Sequence, residues 1–213
     1  MNKYSWTILV FFSWITLLLS AGKVSDRVLW KEDFSRFSSG SHPGCYHDGK
    51  GEVLVEDGRH FYRFPGGFML GNGWNYYGSR HWRNYLLRFQ LRFSEMASLY
   101  LVVKREGWRQ QFKYLWYYVT ITPGQVTVKA HNLTGTTEEL PPARIEPVLK
   151  TNQWYDFEVK VTEKRIEVSL AEGRDRRVLW DHEVLPGGGG IDFHGSKGLD
   201  LASIEVEELE PEK

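Results

Sequence analysis

From Arg27 to Leu209 the chain alternates apolar and polar residues in short runs, and that period of two leaves few ways for it to fold. Alternation sends successive side chains to opposite sides of an extended strand, so each run has one face to bury and one to display. Tyr85–Phe93 is the clearest run. Tyr85, Leu87, Phe89, Leu91 and Phe93 share one side, and Arg88, Gln90 and Arg92 share the other. Leu99, Leu101 and Val103 face in against Tyr100 and Lys104 facing out. Leu115, Val119 and Ile121 oppose Trp116, Tyr118 and Thr120, and Val126, Val128 and Ala130 oppose Thr127, Lys129 and His131. The rhythm resumes with Tyr155, Phe157, Val159 and Val161 inward, then Ile166, Val168 and Leu170, then Ile191 and Phe193, and last Ala202, Ile204 and Val206.

Turn chemistry punctuates these runs. Asp57-Gly58 separates strands expected at 52–55 and 60–64, and both positions tolerate the positive φ of a tight hairpin. Residues 35–51 and 65–83 read as long loops, the second dense in glycine and aromatics, and a shorter strand is expected over 178–184 before Gly187–Gly190. Strands this short, with turn signals roughly every 8–12 residues, predict an all-β sandwich or jelly roll. No run has the helical period that parallel crossovers would require.

The first residues read differently. Lys3 precedes the apolar run Thr7–Leu19, and Ser20-Ala21-Gly22 supplies small residues for cleavage. The run is shorter than the roughly 18 residues of a membrane span. Residues 1–22 are therefore expected to be a signal peptide and 23–213 a single jelly-roll domain, secreted or periplasmic, with no membrane contact beyond the export signal. Lys and Arg total 27 against 27 Asp and Glu, a neutral balance that gives no electrostatic case for nucleic acid. Cys45 is the single cysteine, so an internal disulfide is excluded.

The aromatic load is 9 Trp, 11 Tyr and 12 Phe, and several of these rings fall on displayed positions or in loops. Sugar rings present apolar C–H faces and polar edges, so aromatic platforms beside hydrogen-bonding groups suit a saccharide. Arg88, Gln90, Arg92, Tyr100, Trp116 and Tyr118 on strands, walled by Trp74, Tyr76, Trp82 and Trp108 from loops, are expected to line one carbohydrate site. Catalytic residues stay unassigned. The acid strings Glu-x-Asp-x-x-Glu and Glu-x-Asp-x-Glu of jelly-roll glycosidases do not occur, and Asp156 with Glu158 or Glu205 with Glu207 suit a salt-bridged surface. No cofactor is expected and no metal, because neither His42, His47 and Asp48 nor His194, Asp192 and Asp200 have diagnostic ligand spacing.

Asn152-Gln153-Trp154-Tyr155, Gly190-Ile191-Asp192-Phe193-His194-Gly195 and Leu201-Ala202-Ser203-Ile204-Glu205-Val206 follow one another as three closing strands, and Leu29 to Phe34 reads Leu-Trp-Lys-Glu-Asp-Phe. In this order the chain resembles the concanavalin A-like lectin/glucanase superfamily, and is most similar to its secreted 3-keto-disaccharide hydrolase-type (family-16-glycosidase-like) domain. It departs from that pattern at Leu170-Ala171-Glu172-Gly173, where the family tends to have a Leu-Asn-Gly turn, and at Asp192-Phe193. The resemblance implies two stacked antiparallel sheets with a glycan on the concave sheet or its rim. Three functions stay open: a saccharide-cleaving protein, a non-catalytic carbohydrate-binding module, and a structural envelope protein.

Overall fold

In the computed structural model the described residues are 24–41, 51–66, 68–71, 81–94, 97–105, 114–132, 137–139, 141–146, 148–170, 175–180 and 189–211. They form fifteen strands: β1 (Val24–Glu32), β2 (Glu52–Glu56), β3 (Arg59–Arg63), β4 (Phe68–Gly71), β5 (Tyr85–Phe93), β6 (Leu99–Arg105), β7 (Tyr114–Thr122), β8 (Gln125–Asn132), β9 (Thr137–Glu139), β10 (Ala143–Arg144), β11 (Trp154–Val161), β12 (Ile166–Leu170), β13 (Asp175–Trp180), β14 (Gly190–Gly195) and β15 (Leu199–Leu209). The expected signal peptide, and the loop residues His42, Cys45, His47 and Asp48, lie outside the described residues. Among the described residues no helix is long and apolar enough to cross a membrane.

Two antiparallel sheets result. One has eight strands in the order β13-β12-β11-β5-β15-β3-β2, with β1 also on β15; the other has seven in the order β10-β8-β7-β6-β14-β4, with β9 on β8. The predicted alternation sets what lies between them. Tyr85, Leu87, Phe89, Leu91 and Phe93 of β5 are all buried, as are Leu99, Leu101 and Val103 of β6 and Val119 and Ile121 of β7. Phe89 stacks on Phe157 of its own sheet at 5.8 Å and meets Phe193 of the other sheet edge-on at 5.4 Å. Tilted contacts of this kind favour the ring quadrupoles and add to the area buried.

The hairpin forms where Asp57-Gly58 placed it, with φ of 51° and 77°. Sequence reasoning erred elsewhere. β13 begins three residues before the expected 178 and ends at Trp180, and β4 occupies part of the stretch read as loop. Ser203, at φ 50°, sits in a bulge between Ala202 and Glu205 that inserts one extra residue opposite β5. The bulge reverses the phase of β15. Leu199 and Leu201 face in before it and Ile204 and Val206 after it, while Ala202, expected inward, is fully buried but on the side of its partner Gln90. There the strand also changes neighbour, from β3 at Asp200–Leu201 to β1 from Ile204 onward.

Gly195 shows why one position of β14 takes no side chain. A Cβ there would lie 2.1 Å from Cγ of the buried Phe64, whose ring fills the space. Overpacking a rigid core site costs about 1–3 kcal/mol, and this site belongs at the upper end. Gly195→Ala should therefore lower the urea midpoint by an equivalent amount with the m-value unchanged. Phe64→Leu in the same chain should recover part of the loss, whereas strictly additive effects would refute the contact.

Candidate functional site

The alternation told which side chains leave the core but not which sheet they leave from. Arg88, Gln90 and Arg92 project from β5, in the eight-stranded sheet, while Tyr100 projects from β6 and Trp116 and Tyr118 from β7, in the seven-stranded one. The single site expected from the sequence is thus divided between the two outer surfaces of the sandwich. Trp82 belongs to neither. It is 5% exposed, packs in the core against Tyr85 with centroids 6.3 Å apart, and accepts a hydrogen bond from Gly189 N at its carbonyl. A large apolar ring just before a strand closes the end of the core more favourably than it lines solvent. Trp74, Tyr76 and Trp108 lie outside the described residues.

The outer surface of the eight-stranded sheet is a mesh of opposite charges. Register places Arg63, Asp200, Arg92 and Trp154 abreast on β3, β15, β5 and β11, with Ala202, Gln90 and Asp156 in a neighbouring row and Glu205, Arg88 and Glu158 in another. Arg63 donates through Nε and Nη2 to the two carboxylate oxygens of Asp200 at 2.8 and 3.0 Å, and Arg92 reaches Asp200 at 2.9 Å and also pairs with Glu56. Arg88 holds Glu158 at 2.8 Å and Glu207 at 2.7 Å, and Gln90 donates to Asp156 at 2.6 Å. Burial pulls the Arg88 pKa down, but its two carboxylate partners outweigh that and leave it raised; the hydrogen bond to Asp200 raises Arg63 despite burial. The candidate acids Asp156, Glu158, Glu205, Glu207 and Asp200 are all engaged here, Glu205 by Lys31 at 2.7 Å.

The outer surface of the seven-stranded sheet carries rings. Trp116 and His131, paired across β7 and β8, stack at 4.6 Å with planes 14° apart, and Tyr118 meets Trp116 edge-on at 6.2 Å. Tyr118 pairs with Val102 on one side and Lys129 on the other, and Tyr100 pairs with His194 and Thr120. Val102 and Asp192, 2% and 3% exposed, are the low points of this surface, while Tyr100 stands 45% exposed. The Trp116 indole N–H is shielded from solvent and has no hydrogen-bond partner among the described residues. Among the described residues no group of three or more His, Cys, Asp or Glu is arranged to hold a metal ion. Lys129 and His131, which alternation within β8 marks as displayed, stand on this face beside Tyr118 and Trp116.

No family model matches the chain, and no curated protein matches it by sequence. Solved structures do match its fold. The CBM2 module of the evolved Dit protein of Lactobacillus casei BL23 phage J-1 aligns with a TM-score of 0.55 at 9% identity, over 87% of this chain and 97% of that one. Domain 4 of AbnA, a GH43 extracellular arabinanase from Geobacillus stearothermophilus solved with arabinotriose, aligns with a TM-score of 0.51 at 10% identity, over 86% and 93%. The chain is an all-β jelly-roll sandwich of two antiparallel sheets, as its strand pattern implied.

Two predictions follow from the charged mesh. The Asp200 side chain is 5% exposed and serves both Arg63 and Arg92, the latter 14% exposed. Removing one partner of a buried pair costs about 3–5 kcal/mol, discounted here because Arg63 is half exposed. Asp200→Asn should destabilise the fold by about 2–3 kcal/mol in chemical denaturation, and a loss below about 0.5 kcal/mol would show the mesh to be ornamental. Glu205 has its pKa lowered by the Lys31 hydrogen bond, so its contribution is present above the ordinary carboxylate range and is lost as pH falls through its depressed folded value. Glu205→Gln should therefore be less stable than the parent at pH 7, with the two curves converging in acid; a difference that persisted below the titration would contradict the assignment.

Proposed function

We propose that this chain binds a saccharide on the outer surface of its seven-stranded sheet. The observation that carries the reading is the Trp116–His131 stack with Tyr118 edge-on beside it, on a surface otherwise furnished with Thr120, Lys129 and the exposed Tyr100. A ring held rigid by stacking offers its remaining apolar surface to the C–H groups of a pyranose or furanose, and the hydroxyl and ammonium groups around it suit the sugar's polar edge. The fold agrees with this use, for the arabinanase domain of the same architecture was solved with arabinotriose. The apolar leader Thr7–Leu19 supports a place outside the cytoplasm, where polysaccharides are met.

The resemblance to 3-keto-disaccharide hydrolase-type domains raises cleavage as the finer reading. Two carboxylates facing one sugar about 5–9 Å apart are what such chemistry takes. Among the described side chains Asp192 is the carboxylate on the aromatic surface, and the acids of the opposite surface are held in ion pairs. Binding without turnover is therefore the function we assign.

A glycan array, followed by calorimetry and product analysis on each hit, tests this. Trp116→Ala should weaken binding about thirtyfold or more, the cost of truncating a central aromatic anchor. Arg88→Ala, on the opposite surface, should leave affinity unchanged, and no cleaved product should accumulate. Failure of the parent chain to bind any glycan, or equal affinity in the Trp116 variant, would remove the proposal.

A further inference from the structure

Among the described residues of its neighbourhood, Arg59 is a cation with no ion pair. Register pairs it with Glu56 across the β2–β3 hairpin, yet the Glu56 carboxylate is taken by Arg92. Arg63 and Arg92 share Asp200, and Glu52 lies opposite Arg63 in its row, so the neighbouring carboxylates serve those two guanidinium groups. Among the described residues Arg59 makes no ion pair. Glu52 shares the row of Arg63, four residues along β3 from Arg59, which at about 3.3 Å per residue is too far to compensate it.

The guanidinium of Arg59 is nonetheless held in place. It lies 4.9 Å from the centroid of the Trp154 ring, and Trp154 in turn meets Phe61 edge-on at 5.5 Å. Arg92 stacks on both rings, at 4.9 Å from Trp154 and 4.8 Å from Phe61, and Arg63 lies 5.5 Å from Phe61. Phe61 is 2% exposed although it sits on the outer side of the sheet, so these residues form a small packed cluster of their own. Arg59 is its exposed margin. A stacked guanidinium keeps its fork of donors oriented and loses less entropy on forming a bidentate bond than a free side chain would.

We propose that Arg59, seated on Trp154, is a second binding site, for the carboxylate of an acidic saccharide such as a uronic acid unit. A planar carboxylate matches the fork of the guanidinium with two parallel hydrogen bonds. The half-exposed rim of Trp154 takes the C–H edge of the same sugar, and Asp156, two residues along β11 on the same side, with its partner Gln90, supplies polar contacts for ring hydroxyls. This site is independent of the aromatic surface, because the two lie on opposite sides of the sandwich.

Calorimetry on the full chain with uronic acid oligosaccharides, and with the same oligosaccharides reduced at the carboxyl group, tests it. The acidic ligands should bind, more weakly as salt rises, and their reduced counterparts should bind at least about tenfold more weakly. Arg59→Ala should lose about tenfold in affinity for the acidic ligand, and Arg59→Lys should recover only part, because a point charge lacks the fork. Trp116→Ala should retain it, which separates this site from the one proposed above. The proposal is overturned if no acidic oligosaccharide binds, if the reduced form binds equally, if Arg59→Ala binds as the parent does, or if Trp116→Ala abolishes binding. A glutamate-rich peptide binding as tightly would overturn it too, by making the ligand a peptide.

Discussion

The contact between Phe89 of one sheet and Phe193 of the other, with Phe157 stacked behind it, is where the two layers are joined. A sheet that buries only one face is stable only when that face meets another, and here β5, β6, β7, β8 and β11 commit alternate side chains to the shared interior. The exceptions are local and small. Ser203 reverses the phase of β15 within one residue, so that Leu201 and Ile204 both reach the core and Ala202 is turned to the side of Gln90. Gly195 gives up its side chain so that Phe64 can fill the same space.

With the interior settled in this way, the two outer surfaces are free to differ, and they do. One is closed by ionic pairing: Arg88, Arg92 and Arg63 draw in four acidic partners between them, Asp200 serving two of the three, and the pairs interlock across β3, β15, β5 and β11. Its exposed pairs gain little net energy, and the buried carboxylate of Asp200 is where losing a partner costs most. The other surface has rings where charges would be, with Trp116, His131 and Tyr118 touching one another and few ionic groups between them. The proposed saccharide site rests on this surface.

The inward set was legible because it is a property of each strand alone: a period of two is visible in Tyr85–Phe93 without knowing any neighbour. The Asp57-Gly58 hairpin was legible for the same reason, its positive φ values being a local demand. Assigning strands to sheets was not, because pairing of β5 with β11 and β15 joins residues more than sixty positions apart, and nothing in a strand's own sequence names its partner. That is why Arg88 and Trp116, equally outward in pattern, were placed in one cleft and stand on opposite surfaces. Trp82 was misplaced because a Trp among glycines has no periodicity to read, and its depth in the core depends on where the following strand leads.

The most direct measurement is chemical-shift mapping of the isotopically labelled chain during titration with a neutral oligosaccharide that it binds. The account predicts that the perturbed amides gather on β6, β7 and β8, around Tyr100, Trp116–Tyr118 and Lys129–His131, with β5 and β11 unmoved. Shifts centred on Arg88–Arg92 and Asp156–Glu158, or spread evenly over both sheets, would contradict it.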